Sequence, residues 1–202
     1  MTGRAPVTDV FDALPSRRGH FVLESGYHTD LWLTLDALFV DPASIAPHIT
    51  ALADKLGAHA PTAICGPLFG GAFLAQALAT TLAVKFFVVE PAPPAAAEPA
   101  TGLFTARYRL TLGQRSRVRG ERVAVVDDVI SAGSSVRAGI AALTDAGASI
   151  VAVGALLVLG EAALTHFAAQ GIEVETLGRR PFSLWASTDC ALCRAGVPFE
   201  HP

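Results

Sequence analysis

Residues 151 to 159 read VAVGALLVL and contain no polar side chain. Successive side chains of an extended chain point to opposite sides, so a strand of this composition is apolar on both faces and must be covered on both. Strands of that kind belong to parallel sheets, whose crossover helices lie above and below. Shorter strands are read over Ala63–Cys65, Lys85–Val89 and Arg122–Val126, apolar apart from a leading lysine or arginine in the last two, and over the more polar Glu173–Leu177. Between them apolar residues recur at helical spacing: Ile45, Ile49, Leu52 and Leu56; Phe73, Leu74, Ala77 and Leu78; Val136, Ile140 and Leu143. Ser44 is the expected N-cap of the first helix, because Pro47 is tolerated only in a first turn, and Gly57 the expected stop. The expected fold class is α/β: a parallel sheet with helices on both faces, plus a small N-terminal hood.

At 202 residues the chain suits one domain, read as a hood over residues 1–40, a core over 41–178 and a tail over 179–202. The hood contains a hairpin-like pair between Val22 and Phe39 that turns at Ser25-Gly26. Residues 91–102, PAPPAAAEPATG, carry four prolines and little to bury, and are read as a flap, with a strand over Leu103–Leu112 behind it. Hydrophobic residues make up 51% and charged residues 16%, which argues against disorder. A net charge of −3 supplies no general attraction to nucleic acid or anionic lipid, so neither is an expected partner. Without an apolar run of about 18 residues, a signal peptide or a disulfide framework, a cytoplasmic location is expected. Arg107, Arg109, Arg115, Arg117, Arg119 and Arg122 crowd one stretch, which is either an anion-attracting surface or a solvated face.

The chemistry concentrates in residues 123–136, VAVVDDVISAGSSV. A buried strand runs into two acids and then into a small-residue loop that opens a helix. Open α/β sheets place ligands beyond the carboxyl ends of their strands, which sends Asp127 and Asp128 into a crevice. Adjacent carboxylates suit ribose hydroxyls and a hydrated Mg²⁺. Ser131, Ala132, Gly133, Ser134 and Ser135 leave backbone N–H groups uncovered at a helix N-terminus, a cup for a phosphomonoester. The plainer alternative is a strand end followed by a turn, with Ser134 as an ordinary N-cap. Neither a Walker phosphate loop nor a dinucleotide fingerprint occurs.

At these residues the chain resembles the type I phosphoribosyltransferases, whose signature is an apolar strand, two acids and a Thr/Ser-x-Gly-x-Ser/Thr loop. The resemblance implies that Asp127 and Asp128 lie beside the ribose hydroxyls of phosphoribosyl diphosphate and that Ser131 to Ser135 wrap its 5-phosphate. Cys65-Gly66-Pro67-Leu68-Phe69-Gly70-Gly71 likewise resembles the family's diphosphate loop, which implies diphosphate contacts for Gly66, Pro67, Leu68, Phe69 and Gly70. FVLESGYHTDLWLTLD looks like the hood segment of orotate phosphoribosyltransferases, which implies base contacts for Ser25 and Gly26 and, by its place, His28. The implied activity is transfer of a phosphoribosyl group to a nitrogenous base, orotate first, with Mg²⁺ as cofactor and a homodimer as the assembly.

The sequence departs from the orotate pattern at several points. Glu24 stands where a lysine is usual, as does Gly70; residues 91–102 have neither lysine nor histidine; and Gly160-Glu161 replaces the arginine expected for the orotate carboxylate. Arg107 or Arg109 is the candidate substitute cation for the diphosphate. These departures keep open a non-catalytic sensor of phosphoribosyl diphosphate and a transferase for a different base. In the tail, Cys190-x-x-Cys193 is half of a zinc site, which His201 or a second subunit would have to complete.

Overall fold

The computed structural model describes residues 10–11, 14–23, 26–92 and 107–201. Expectations for Glu24, Ser25 and most of the flap lie outside the described residues. Two sheets form. The larger contains β3 (Ala63–Pro67), β4 (Lys85–Pro91), β5 (Tyr108–Leu110), β6 (Arg122–Ile130), β7 (Ser149–Leu159) and β8 (Val174–Arg180), in the order β5-β4-β3-β6-β7-β8. Five of the strands run parallel, and β5 lies antiparallel on the edge beside β4. The smaller sheet has the order β1-β2-β9, from β1 (Ser16–Val22), β2 (His28–Leu33) and β9 (Leu184–Trp185).

Alternating side chains of the central strands feed two cores, as a doubly covered sheet requires. Ile64, Ala124, Val126, Ala152 and Leu156 meet Ile49, Leu52 and Leu56 of α1 (Pro42–Gly57) and Leu74 and Leu78 of α2 (Gly70–Leu82). Ala63, Cys65, Val123, Val125 and Val153 meet Val136 and Leu143 of α4 (Ser134–Asp145) and Ala163 and Phe167 of α5 (Ala162–Ala168). Helices therefore cover both faces. Short helices α3 (Leu112–Arg115) and α6 (Ala191–Arg194) complete the set, with a 3₁₀ turn over Leu35–Phe39.

Several local expectations are corrected. The N-cap of α1 is Asp41, whose Oδ1 accepts from the Ala43 N–H at 3.0 Å, with Pro42 as the first helical residue. Ser44 instead donates to the Asp41 carbonyl, and Pro47 sits inside the helix beyond the first turn. The buried face of α2 is Leu74, Ala75, Leu78 and Ala79, leaving Phe73 exposed against Phe39. β6 continues through both acids to Ile130, because β7 keeps pairing with it as far as Ile130↔Val158. Leu112 opens α3 and is exposed. The tail joins the hood, since His28↔Trp185 and Thr29↔Leu184 pair β2 with β9. Among the described residues no helix is long and apolar enough to cross a membrane.

Candidate active site

From β3 the chain moves outward to β4 and β5, then returns to lay β6 on the other side of β3 before continuing to β7 and β8. The strand order thus reverses between β3 and β6, and such a switch point opens a crevice at the carboxyl ends. Pairing of β3 with β6 ends at Cys65↔Val125, while pairing with β4 runs on to Pro67↔Val89. The loop after β3 therefore leans away from β6 where Asp127 and Asp128 begin.

Close packing then brings this loop back onto the acids. A Cβ on Gly70 would land on the Asp128 carboxylate, and one on Gly71 would sit 2.7 Å from Asp127 Oδ1. Only bare backbone fits at these two positions. Leu68 N–H donates to the Val89 carbonyl at 2.9 Å, which anchors the loop to β4. Gly66, Pro67, Leu68, Phe69 and Gly70 thus lie at the crevice beside the two acids.

Asp128 is buried, and Asp127 is half-buried. Asp127 Oδ1 accepts from Asp128 N–H at 3.2 Å, and Asp128 Oδ1 from Val129 N–H at 2.7 Å. Burial, followed by the neighbouring charge of Asp128, holds the Asp127 carboxyl well above the usual carboxylate range. Burial raises Asp128 as well. Adjacent carboxyl groups at the crevice are a hard-oxygen donor pair, a set that fits Mg²⁺.

Beyond Ile130, Ser131 and Ala132 lead to Gly133, which caps α4 with φ +77° and ψ 20°. Gly133, not Ser134, is the N-cap, and it makes no side-chain cap bond. A left-handed residue here turns the chain from β6 into α4, a geometry glycine adopts without penalty. Ser131 through Ser135 consequently form a continuous rim from strand to helix.

Ser131 also borders a cavity of about 560 Å³ between hood and core. Leu31, Trp32 and Leu33 of β2 line one wall, and Val129, Leu159 and Phe182 another. Its described lining is apolar apart from Thr34 and Ser131. Gly26, at φ +78°, shapes the turn between β1 and β2, where Leu23 N–H donates to the Tyr27 carbonyl.

The arginine stretch does not stay together. Arg122 donates to the His59 and Ala60 carbonyls at the opposite end of the sheet from the acids, fastening the loop before β3. Arg107 and Arg109 lie near the carboxyl end of β4, since β5 runs antiparallel with Pro91↔Tyr108 and Glu90↔Arg109. Arg109 Nε donates to Glu90 Oε1 at 3.0 Å.

His28 is placed differently from its expected base contact. It opens the central hood strand, between Val22 on β1 and Trp185 on β9, and its ring is buried against His20, Cys193 and Phe199. It is absent from the residues lining the cavity. Cys190 and Cys193 come together with His20 and His28, whereas exposed His201 is held through its carbonyl by Arg17 at 3.4 Å. His20 was missed in the sequence, where its only signal was a second histidine on the same hairpin.

A strand-acid-acid-cup segment facing a glycine loop across a switch point defines a phosphoribosyltransferase site on an α/β core. Consistent with this, the phosphoribosyl transferase domain family model matches residues 40–166, and the chain belongs to that family. Orotate phosphoribosyltransferase of Caldanaerobacter subterraneus is 26% identical over 97% of this chain and 95% of its own length. The enzyme of that name from Heliobacterium modesticaldum is 30% identical over 91% of this chain and 88% of its own. Among solved structures, orotate phosphoribosyltransferase from Aeropyrum pernix superposes with a TM-score of 0.61 at 25% identity, covering 81% of this chain and 87% of that one.

Proposed function

We propose that this protein transfers the phosphoribosyl group of phosphoribosyl diphosphate to orotate, giving orotidylate and diphosphate. One observation carries the reading: the Asp127–Asp128 pair and the Ser131–Ser135 rim lie on one side of the β3/β6 crevice, with the Gly66–Gly70 loop on the other. Near-full-length similarity to proteins named orotate phosphoribosyltransferase supports the choice of base.

In this reading the first turn of α4 and the Ser131, Ser134 and Ser135 hydroxyls hold the 5-phosphate. Asp127 and Asp128 hold the ribose hydroxyls and offset positive charge that grows on the anomeric carbon as the C–O bond to diphosphate breaks. The backbone of residues 66–70 receives the diphosphate, with Arg107 or Arg109 as its cation. The base nitrogen forms the new bond to the anomeric carbon from the cavity under the hood. Most of the rate comes from positioning these partners in one place. Mg²⁺, when bound through water at Asp127 and Asp128, supplies charge neutralisation for the departing diphosphate.

A second base class is favoured by the cavity itself. Among the described residues its wall offers no cation to an orotate carboxylate, which suits a neutral aromatic base. Incubating the protein with phosphoribosyl diphosphate, Mg²⁺ and either orotate or a panel of neutral bases, and measuring released diphosphate, tests both. Orotate-dependent release supports the first reading and release with a neutral base alone supports the second. Binding of phosphoribosyl diphosphate without release for any base defines a sensor. For the homodimer we propose the face bearing Val40, Phe69 and Phe73, which are 81%, 76% and 55% exposed. Light scattering of a Phe73→Asp variant should report a monomer.

A further inference from the structure

Outside the transferase crevice, four side chains from opposite ends of the chain converge in the hood. His20 lies on β1, where the register shifts between Arg18 and Phe21, so that Gly19 and His20 together oppose Asp30. A bulge of this kind re-aims a side chain. His28 starts β2, Cys190 is the N-cap of α6, and Cys193 lies within that helix. The tail is folded over them: Glu200 N–H donates to the His20 carbonyl at 2.8 Å, and the Phe199 ring packs 4.2 Å from the His20 ring.

The donor atoms have metal-site spacing. His20 Nε2 lies 3.3 Å from His28 Nδ1, 3.3 Å from Cys190 Sγ and 3.7 Å from Cys193 Sγ, and Cys193 Sγ lies 3.3 Å from His28 Nδ1. All four atoms fall within 4.8 Å of one another. A tetrahedron with the usual Zn–N and Zn–S bond lengths has edges of about 3.3 Å between nitrogens and ~3.6 Å between nitrogen and sulfur. The observed separations match those edges.

Hydrogen bonding alone does not account for the arrangement. His20 Nδ1 lies 2.8 Å from the Val197 carbonyl, which can only accept, so Nδ1 carries the proton and Nε2 presents a lone pair. One lone pair cannot serve three neighbours, but it can serve one central cation. The Nδ1–H to carbonyl bond is also the kind of support that orients metal-bound histidines. Cys193 N–H donates to Cys190 Sγ at 3.4 Å, which holds that sulfur at the cluster. Two thiolates and two neutral imidazoles around Zn²⁺ sum to zero charge, so the assembly can be buried without a net charge to solvate.

We propose that His20, His28, Cys190 and Cys193 bind one zinc ion tetrahedrally, and that this ion clasps the C-terminal tail to the N-terminal hood. Four protein ligands fill the coordination sphere, so the site is structural. All four ligands lie outside residues 40–166, the span matched by the family. Because β2 also supplies Leu31, Trp32 and Leu33 to the cavity wall, the clasp fixes the hood side of that cavity.

Elemental analysis of the full-length protein purified without chelator should find one zinc per chain, falling to near zero in Cys193→Ser, whose exposed position lets the fold persist. Cobalt replacing zinc should give the intense visible bands of a tetrahedral thiolate-imidazole centre. Both tryptophans, Trp32 and Trp185, lie in the hood sheet. Chelation should therefore shift tryptophan emission and lower the melting temperature, with zinc restoring both. It should also release two thiols to Ellman's reagent, since burial pushes the third, Cys65, up to about 12. Reconstituted protein that loses zinc on gel filtration, a cobalt form lacking sulfur-to-metal charge transfer, or a Cys190–Cys193 disulfide in fresh protein would each overturn the proposal, whatever the transferase assay shows.

Discussion

The backbone of Gly70 lies so close to the Asp128 carboxylate that a single methyl group at residue 70 would collide with Oδ2. The loop after β3 and the Asp127–Asp128 pair, more than 50 residues apart in sequence, are thus in van der Waals contact. Any group larger than hydrogen must displace one of them.

Gly70→Ala should therefore damage the site without unfolding the chain. Transferase turnover should fall about 100-fold, since displacement of a catalytic group by ~1 Å has that order of cost. Overpacking should lower stability by about 1–3 kcal/mol. Steady-state diphosphate release and urea unfolding measure the two effects, and unchanged turnover would remove the loop from the site.

Asp127→Asn should make the protein more stable at neutral pH while abolishing phosphoribosyl diphosphate binding. A carboxyl whose folded-state pKa is raised contributes stability that is present below the ordinary carboxylate value and lost as pH rises through the raised one. Burial and Asp128 raise Asp127, so the wild-type protein should lose stability from about pH 4 upward, and the asparagine variant should lose less. Melting temperatures across pH 4 to pH 8, with calorimetry of ligand binding in Mg²⁺, report both results.

Gly133→Ala tests the cup. The residue has φ +77°, and an added methyl would lie 3.3 Å from Ala163 Cβ and 3.4 Å from the Phe167 ring. Holding alanine in that conformation should cost about 1–3 kcal/mol and weaken phosphoribosyl diphosphate binding. Gly113→Ala, within α3 and with open space around it, should instead be neutral or stabilising and leave binding unchanged.

Arg107→Ala and Arg109→Ala separate cation supply from fold stability. The Arg109–Glu90 pair is exposed, so its loss should change stability by less than about 1 kcal/mol. A charge-assisted contact to diphosphate is larger, and removing one should raise the KM for phosphoribosyl diphosphate by roughly 10-fold or more. If both variants keep wild-type affinity, neither arginine serves the diphosphate.

Much of the core was legible because its signals are local. The unbroken apolar run of β7 demanded cover on both faces, and the adjoining acids and small residues of 127–135 carried their chemistry in consecutive positions. Boundaries were less legible. Asp41 displaced Ser44 as the cap because a preceding Asp-Pro pair starts the helix earlier than the apolar spacing suggests. The strand β6 outran its apolar segment because its end was decided by its neighbour β7.

The sequence by itself determined the sheet type, the alternation of strand and helix through the core, and the residue chemistry of the acid pair and the small-residue loop after it, since each depends on spacing along one segment. Tertiary structure alone decided which distant segments meet. It placed Gly70 against Asp128, tied Arg122 to a loop far from the crevice, and set His28 away from the cavity under the hood to join His20, Cys190 and Cys193. The physical reason is that strand pairing between distant segments follows from what each face can bury, and no local pattern states which partner it finds.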